Sequence, residues 1–161
     1  MSIEKARAYF AKLGMEDRVI EFPVSSATVE LAAEAAHCEP ARICKTLSFF
    51  IHEQPILILF AGDAKVDNHK FKMQFGVKAT MMPFDDVEKV IGHAVGGVCP
   101  FGINPGIDVY LDESMKRFKS VYPACGSDNS AIELTIPELE KYSGYKAWIN
   151  VDKGWETDGQ N

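Results

Sequence analysis

Apolar residues along this chain follow two periods, and the switch between them marks out the elements. Ala6, Tyr9, Phe10 and Leu13 recur at helical spacing, with Ser2 placed to cap the segment, Glu4 in its first turn and Gly14 to end it. Val19-Ile20-Glu21-Phe22 reads as a strand stopped by Pro23. Ser25 and Ser26 precede an alanine-rich helix over 28–36, which Glu39-Pro40 closes. From Cys44 the pattern becomes a strand over 44–51, with a turn at His52-Glu53-Gln54-Pro55 and a return strand over 56–60. A helix over 68–75, a short strand over 79–81, a helix over 84–91 and a strand over 107–111 follow. Asp112-Glu113-Ser114 then leads into one helical turn ending near Phe118. Strands over 121–125 and 131–134 flank Gly126-Ser127-Asp128-Asn129-Ser130, a polar turn with Asx character. Thr135-Ile136-Pro137-Glu138 has capping-box spacing with proline just inside, and the helix it starts runs to Tyr142, where Gly144 stops it. A last strand covers 147–151, and 152–161 reads as a frayed tail.

About seven strands with helices among them, some at short hairpin spacing, predict an α+β fold. Its sheet should be mixed or antiparallel rather than doubly wound. At 161 residues the chain is expected to form one domain over 1–151 with a core that needs no staples. Apolar content of 47% and charged content of 25% are those of a globular protein. The longest apolar run, Ile56-Leu57-Ile58-Leu59-Phe60-Ala61, suits a buried strand and falls far short of the ~20 residues of a membrane span. Met1-Ser2-Ile3-Glu4-Lys5 lacks the apolar stretch of a signal peptide, so a cytoplasmic location without membrane contact is expected.

Net charge changes the picture of partners. At −6 it argues against a protein that coats nucleic acid non-specifically, and no DNA partner is expected. Lys65, Lys70, Lys72 and Lys78, with His69 among them, form either a solvated helix face or a local patch for RNA. The four cysteines are scattered without a Cys-x-x-Cys pair, so neither a zinc site nor another metal is expected. Free thiols fit a reducing compartment.

The candidate chemistry sits in two places. Between Gly96 and Gly102 fall three glycines and Pro100, with Val98, Cys99 and Phe101 between them. Such a loop is bent and stiff, and it admits close approach to the main chain. It is either a tight turn packing Val98 and Phe101 into the core or a rigid wall whose N–H groups hold the polar part of a ligand. It lacks the Gly-Lys-Ser/Thr ending of a phosphate loop. Cys99 is either a nucleophile or a small buried core residue, and the sequence supplies no evident activating base. Lys45 is the second place. It stands in a strongly apolar neighbourhood, as an edge lysine that snorkels to water or as a working group.

Five segments in register resemble one family. They are Ala41-Arg42-Ile43-Cys44-Lys45-Thr46-Leu47, Gly62-Asp63 with the lysines after it, the loop from Gly92-His93 to Gly102, Asp112-Glu113-Ser114, and Gly126 followed by Ile132-Glu133-Leu134. The chain resembles the YbaK/ProX family, which is related to the editing domain inserted in bacterial prolyl-tRNA synthetases. The resemblance runs over roughly 20–151. It implies a curved, partly closed mixed sheet flanked by helices. It also implies metal-free, cofactor-free hydrolysis of the ester joining a wrong amino acid to the terminal adenosine of a transfer RNA, often proline tRNA.

The resemblance implies a working site at Lys45 and at the loop residues Gly97, Val98 and Cys99. It places substrate contacts at Phe22, Thr28, Val29, Thr46, His93, Gly96, Pro100, Phe101 and Gly126, and tRNA contacts at Lys65, Lys70 and Lys72. The implied partners are the acceptor end of aminoacyl-tRNA and a prolyl-tRNA synthetase or elongation factor. An aminoacyl ester is already activated, so the chemistry asks for positioning and oxyanion stabilisation more than for a strong nucleophile. In the subgroup that removes cysteine an aspartate follows the turn at Gly126; here Ala131 takes that place, and Phe22 stands where a tyrosine is common. The alternative is a non-catalytic module of the same fold that binds tRNA or a synthetase.

Overall fold

A long hairpin carries the structure. β2 (Ile43–Ile51) and β3 (Gln54–Ala61) pair antiparallel over their whole length, from Cys44↔Ala61 to Ile51↔Gln54. His52 turns the chain between them in the left-handed region, at φ 51°. The computed structural model describes residues 2–155, without the side chain of Ser2. Every side chain from Ile56 to Ala61 is buried, so β3 is covered on both faces. This is why its sequence is continuously apolar rather than alternating.

Around the hairpin a six-stranded mixed sheet curls into a half-barrel. β3 runs parallel to β5 (Asp108–Asp112), and β5 runs parallel to β9 (Ala147–Ile149). On the other side β2 runs parallel to β6 (Ser120–Pro123), which pairs antiparallel with β8 (Leu134–Thr135). Two short ribbons complete it. β1 (Val19–Glu21) pairs with β7 (Ser130–Ile132), and β4 (Lys65–Val66) with β10 (Asp152–Lys153).

Each face of the sheet is sealed by helices whose apolar positions meet it. Leu57, Leu59 and Leu111 pack against Ala6 and Phe10 of α1 (Ser2–Ala11), Val87 and Ile91 of α4 (Phe84–Ile91), and Leu139 of α5 (Ile136–Tyr142). Phe49, Ile56, Ile58 and Phe60 face Phe71 of α3 (Asn68–Phe75). The Phe49 and Phe71 rings stand 5.1 Å apart. α2 (Val29–Ala36) lies over Ile43 at the start of β2.

The predicted α+β architecture with a mixed sheet is the one observed, and several details differ. Ten strands form among the described residues, because 131–134 divides into β7 and β8, which pair with different partners, and because β4 and β10 form an unpredicted ribbon. The 79–81 segment forms one bridge, Met81 to Phe49, rather than a strand. Thr28, not Ser25 or Ser26, caps α2: its hydroxyl accepts from the Leu31 N–H at 3.1 Å. His37 ends that helix in the left-handed region, and Pro40 opens a 3-10 turn instead of closing the helix. α1 ends at Ala11, leaving Leu13 exposed. The capping box at Thr135 and Glu138 is present as read. Asp152 to Trp155, assigned by pattern to a tail, belong to the fold: Asp152 is buried and Trp155 lies under the Arg117 guanidinium at 4.1 Å. Residues 156–161, and the cap expected from the Ser2 side chain, lie outside the described residues.

Candidate functional site

The site begins where a ladder stops. β2 and β6 pair only at Ile43↔Tyr122 and Cys44↔Pro123. Further along the same edge, Met82 N–H donates to Ser48 C=O and Phe50 N–H donates to Thr80 C=O, both at 3.0 Å. Between these two pairings the edge of β2 is open over Lys45 to Leu47. A cavity of about 380 Å³ occupies the gap. Its walls come from the start of α2 (Thr28, Val29, Ala32), from β2, from the approach to α4 (Met82, Phe84, Val87), from the glycine loop (Val95, Gly96, Val98), and from Tyr122, Ala124, Ser130 and Ala131. That size and largely apolar lining suit a small organic ligand held by a few polar groups.

Two polar side chains of β2 stand out. Burial lowers the pKa of Lys45, while the charge of Asp63 draws it back up and that of Lys65 lowers it further. Lys45 makes no hydrogen bond or ion pair among the described residues. Asp63 is itself held by Arg117, whose guanidinium reaches both carboxylate oxygens at 2.6 and 3.0 Å. Asp63, its carboxylate engaged by Arg117, and Glu30 act on the Lys45 ammonium from a distance, with Lys65 opposing them. Beside it, Thr46 Oγ1 is buried with no hydrogen-bond partner among the described residues.

The glycine loop is bolted to the Gly126 turn. A Cβ on Gly97 would collide with Ser127 N and stand 2.5 Å from the Gly126 carbonyl carbon. Gly126 N–H donates to Gly97 C=O at 3.0 Å. The turn in turn is held to the first strand, through Phe22 N–H to Asn129 C=O at 2.7 Å and Asn129 Nδ2–H to Phe22 C=O at 3.1 Å. Gly97 spends its own N–H on Ala94 C=O, whereas the N–H groups of Gly96 and Val98 have no partner among the described residues. Donors fixed in this way are those that can stabilise developing negative charge without reorganising.

Of the residues singled out from the sequence, Lys45, Thr46, Thr28, Val29, Gly96 and Val98 meet at the cavity. Gly97 and Gly126 stand behind the wall as its support. Phe22 is buried and contributes its main chain to the same support. His93, Cys99 and Phe101 point away, into the core. Phe101 packs on Phe10 with ring centres 4.7 Å apart, and His93 Nε2 lies 2.7 Å from Phe101 C=O. Burial lowers the His93 pKa and leaves its Nδ1 unpartnered. Cys99 is fully buried and its thiol is pushed up to about 12, which makes it inert as a nucleophile. Pro100 lines a separate hollow beside Tyr9. Lys70 donates to Asp152 C=O at 2.8 Å and is tied to the C-terminal segment; Lys65 and Lys72 lie on β4 and α3, outside the cavity. Among the described residues no group of three His, Cys, Asp or Glu side chains is placed to hold a metal ion.

Sequence reasoning missed Met82, Phe84, Tyr122 and Ser130 as lining residues, and marked Ala131 only as a departure from the family pattern. They come together from three segments, and the exposure of Phe84 at the cavity, 73%, is visible only in the fold.

Comparison with known proteins gives the family and the fold. A family model described as the aminoacyl-tRNA editing domain matches residues 24–142. The chain is 52% identical over 157 residues to the uncharacterized protein YwhH of Bacillus subtilis, covering 97% of this chain and 100% of that one. It is 25% identical over 114 residues to a proline–tRNA ligase of Bacillus cytotoxicus, covering 70% of this chain and 20% of the ligase. A crystal structure reported as a candidate trans-editing enzyme for prolyl tRNA synthetase superposes with a TM-score of 0.85 at 27% identity, over 95% of this chain and 98% of that one. This chain belongs to the aminoacyl-tRNA editing domain family.

Proposed function

We propose that this protein deacylates mischarged tRNA, hydrolysing the ester between a small wrong amino acid and the terminal ribose, with proline tRNA as the carrier. The observation that carries the reading is the placement of Lys45, an ammonium without an ion-pair partner among the described residues, on a cavity also lined by Gly96 and Val98, whose N–H groups have no partner among the described residues. The family to which the chain belongs supports it. Lys45 positions substrate by gripping the terminal phosphate as a point charge. The loop N–H groups hold the ester carbonyl oxygen as it gains charge. Water attacks the carbonyl carbon, the tetrahedral intermediate collapses, and the ribose oxygen leaves with a proton. The Cys99 thiol and His93 are held in the core, and a ribose hydroxyl of the substrate assists the attack and relays the proton. A prolyl-tRNA synthetase or an elongation factor would deliver the substrate in a cytoplasmic setting.

The test is deacylation of proline tRNA charged with alanine, serine, threonine, cysteine or proline, with Lys45→Ala run alongside. Hydrolysis of one or two wrong esters, sparing prolyl-tRNA and falling about 100-fold or more in the variant, is expected. If none is hydrolysed while tRNA still binds, the protein is a binding module of the same fold.

A further inference from the structure

We infer that the open edge at Thr46 is the subsite for the substrate's free α-ammonium group, so that the protein acts on aminoacyl esters and refuses N-acylated ones. The inference deepens the deacylase reading and rests on it for the identity of the ligand. In an antiparallel pair, alternate residues turn both main-chain groups away from the partner strand. Ser48 and Phe50 do so toward Met82 and Thr80. Two residues earlier, Thr46 turns its N–H and C=O to the same edge, and neither has a partner among the described residues, because the β6 ladder ends at Cys44↔Pro123. Thr46 Oγ1 is a third group, buried and also unpartnered. One residue therefore presents one main-chain donor and two acceptors at a cavity. A buried polar group such as Thr46 Oγ1 left without a partner is costly, and native proteins rarely tolerate one.

The pattern has a natural complement. An α-amino acid ester carries an ammonium donor and a carbonyl acceptor at the spacing of a peptide unit, so it docks as a strand one residue long. The ammonium donates to Thr46 C=O and Oγ1, and the ester carbonyl oxygen, which has two lone pairs, accepts from Thr46 N–H as well as from the loop donors. Lys45 and Thr46 are neighbours on a strand and project to opposite faces, which keeps the two cations apart. The notch is closed on one side by the Cys44↔Pro123 pairing and on the other by Met82. An N-acyl group would lose the charge and meet those walls.

The probes are 3′-deoxy-3′-(alanylamino)adenosine, an amide mimic of the charged tRNA end, and its N-acetyl derivative. Calorimetry should show the free-amine probe binding at least 100-fold tighter than the acetylated one, with the Thr46 amide resonance shifting on binding. Thr46→Val, which keeps shape and loses the hydroxyl, should weaken the free-amine probe about tenfold, and Thr46→Ser should restore it. In parallel, alanyl-tRNA and N-acetyl-alanyl-tRNA are offered to the enzyme. Equal hydrolysis of both, or equal binding of both probes, overturns the inference and leaves the deacylase reading standing. Selective binding of the free-amine probe without hydrolysis of any ester upholds the subsite and removes the deacylase reading. Absence of binding by either probe overturns the inference.

Discussion

The two sides of the β2–β3 hairpin treat buried polar groups in opposite ways. Beside β2, Thr46 is left with its main-chain groups and Oγ1 unpartnered among the described residues, and Lys45 with no ion pair. Beside β3, at the end of β5, Asp112 is fully buried and both of its oxygens are used. They accept from the N–H groups of Ser114 and Val151, each at 2.9 Å. Asp112 is also hydrogen-bonded to Asp152, another buried carboxyl, whose Oδ1 accepts from Trp155 Nε1 at 2.6 Å. Desolvation, and then the bond to Asp152, push the Asp112 carboxyl up to about 7. The second region is the chain's own scaffolding, closed on itself. The first leaves its polar groups to the cavity.

The largest expected effect comes from closing the gap between the loops at the open region. Gly97→Ala drives a methyl into Gly126 and Ser127. It should cost about 1–3 kcal/mol of stability and, by displacing the Gly96 and Val98 donors, about 100-fold or more in deacylation. Thermal melts and single-turnover kinetics check both.

The closed region should answer to pH instead. A carboxyl whose pKa is raised on folding contributes stability that is full below its unfolded value near 4 and is lost as pH rises through about 7. Stability should therefore fall between about pH 4 and 7 on this account and level off above. Asp152→Asn keeps an acceptor for Trp155 and removes the second acid. It should flatten that slope and raise stability at pH 8 by about 1–3 kcal/mol, measured by urea unfolding across pH.

A smaller effect with the opposite sign belongs to Glu138. Its bonds to Arg18, at 2.7 and 2.9 Å, and to the Thr135 N–H hold its carboxyl down to about 2. Its contribution is present above about 4.5 and is lost as pH falls toward 2. The group is partly solvated, so Glu138→Gln should cost only about 0.5–1 kcal/mol at neutral pH and nothing near pH 2.

The sequence was most legible where the signal is local. α3 and α4 have the predicted bounds because Gly76 and Gly92 stop them in the left-handed region, and the Thr135 capping box needs only four residues. The hairpin followed from two apolar runs and a turn. Lys45 stood out because a lysine among apolar strand residues needs a reason. The glycine loop was legible as a wall but not in its facing. Whether Val98 or Cys99 meets the cavity depends on Phe10 of α1 and on Ser127, remote in sequence. The open edge was invisible, since the end of a ladder between Cys44 and Pro123 is a property of two strands far apart in sequence. β10 escaped for a related reason: two residues carry no periodicity, and Asp152 is buried by contacts remote in sequence, with β4, β5 and Lys70 of α3.

The central claim is that Lys45 and the loop donors act on an aminoacyl ester. The most direct measurement is single-turnover deacylation of alanyl- and prolyl-tRNA specific for proline, by the wild type and by Lys45→Ala under enzyme excess. The account predicts rapid loss of alanine, little loss of proline, and a variant that folds normally and is slower by about 100-fold or more. A Lys45→Ala protein that removes alanine at the wild-type rate would contradict it.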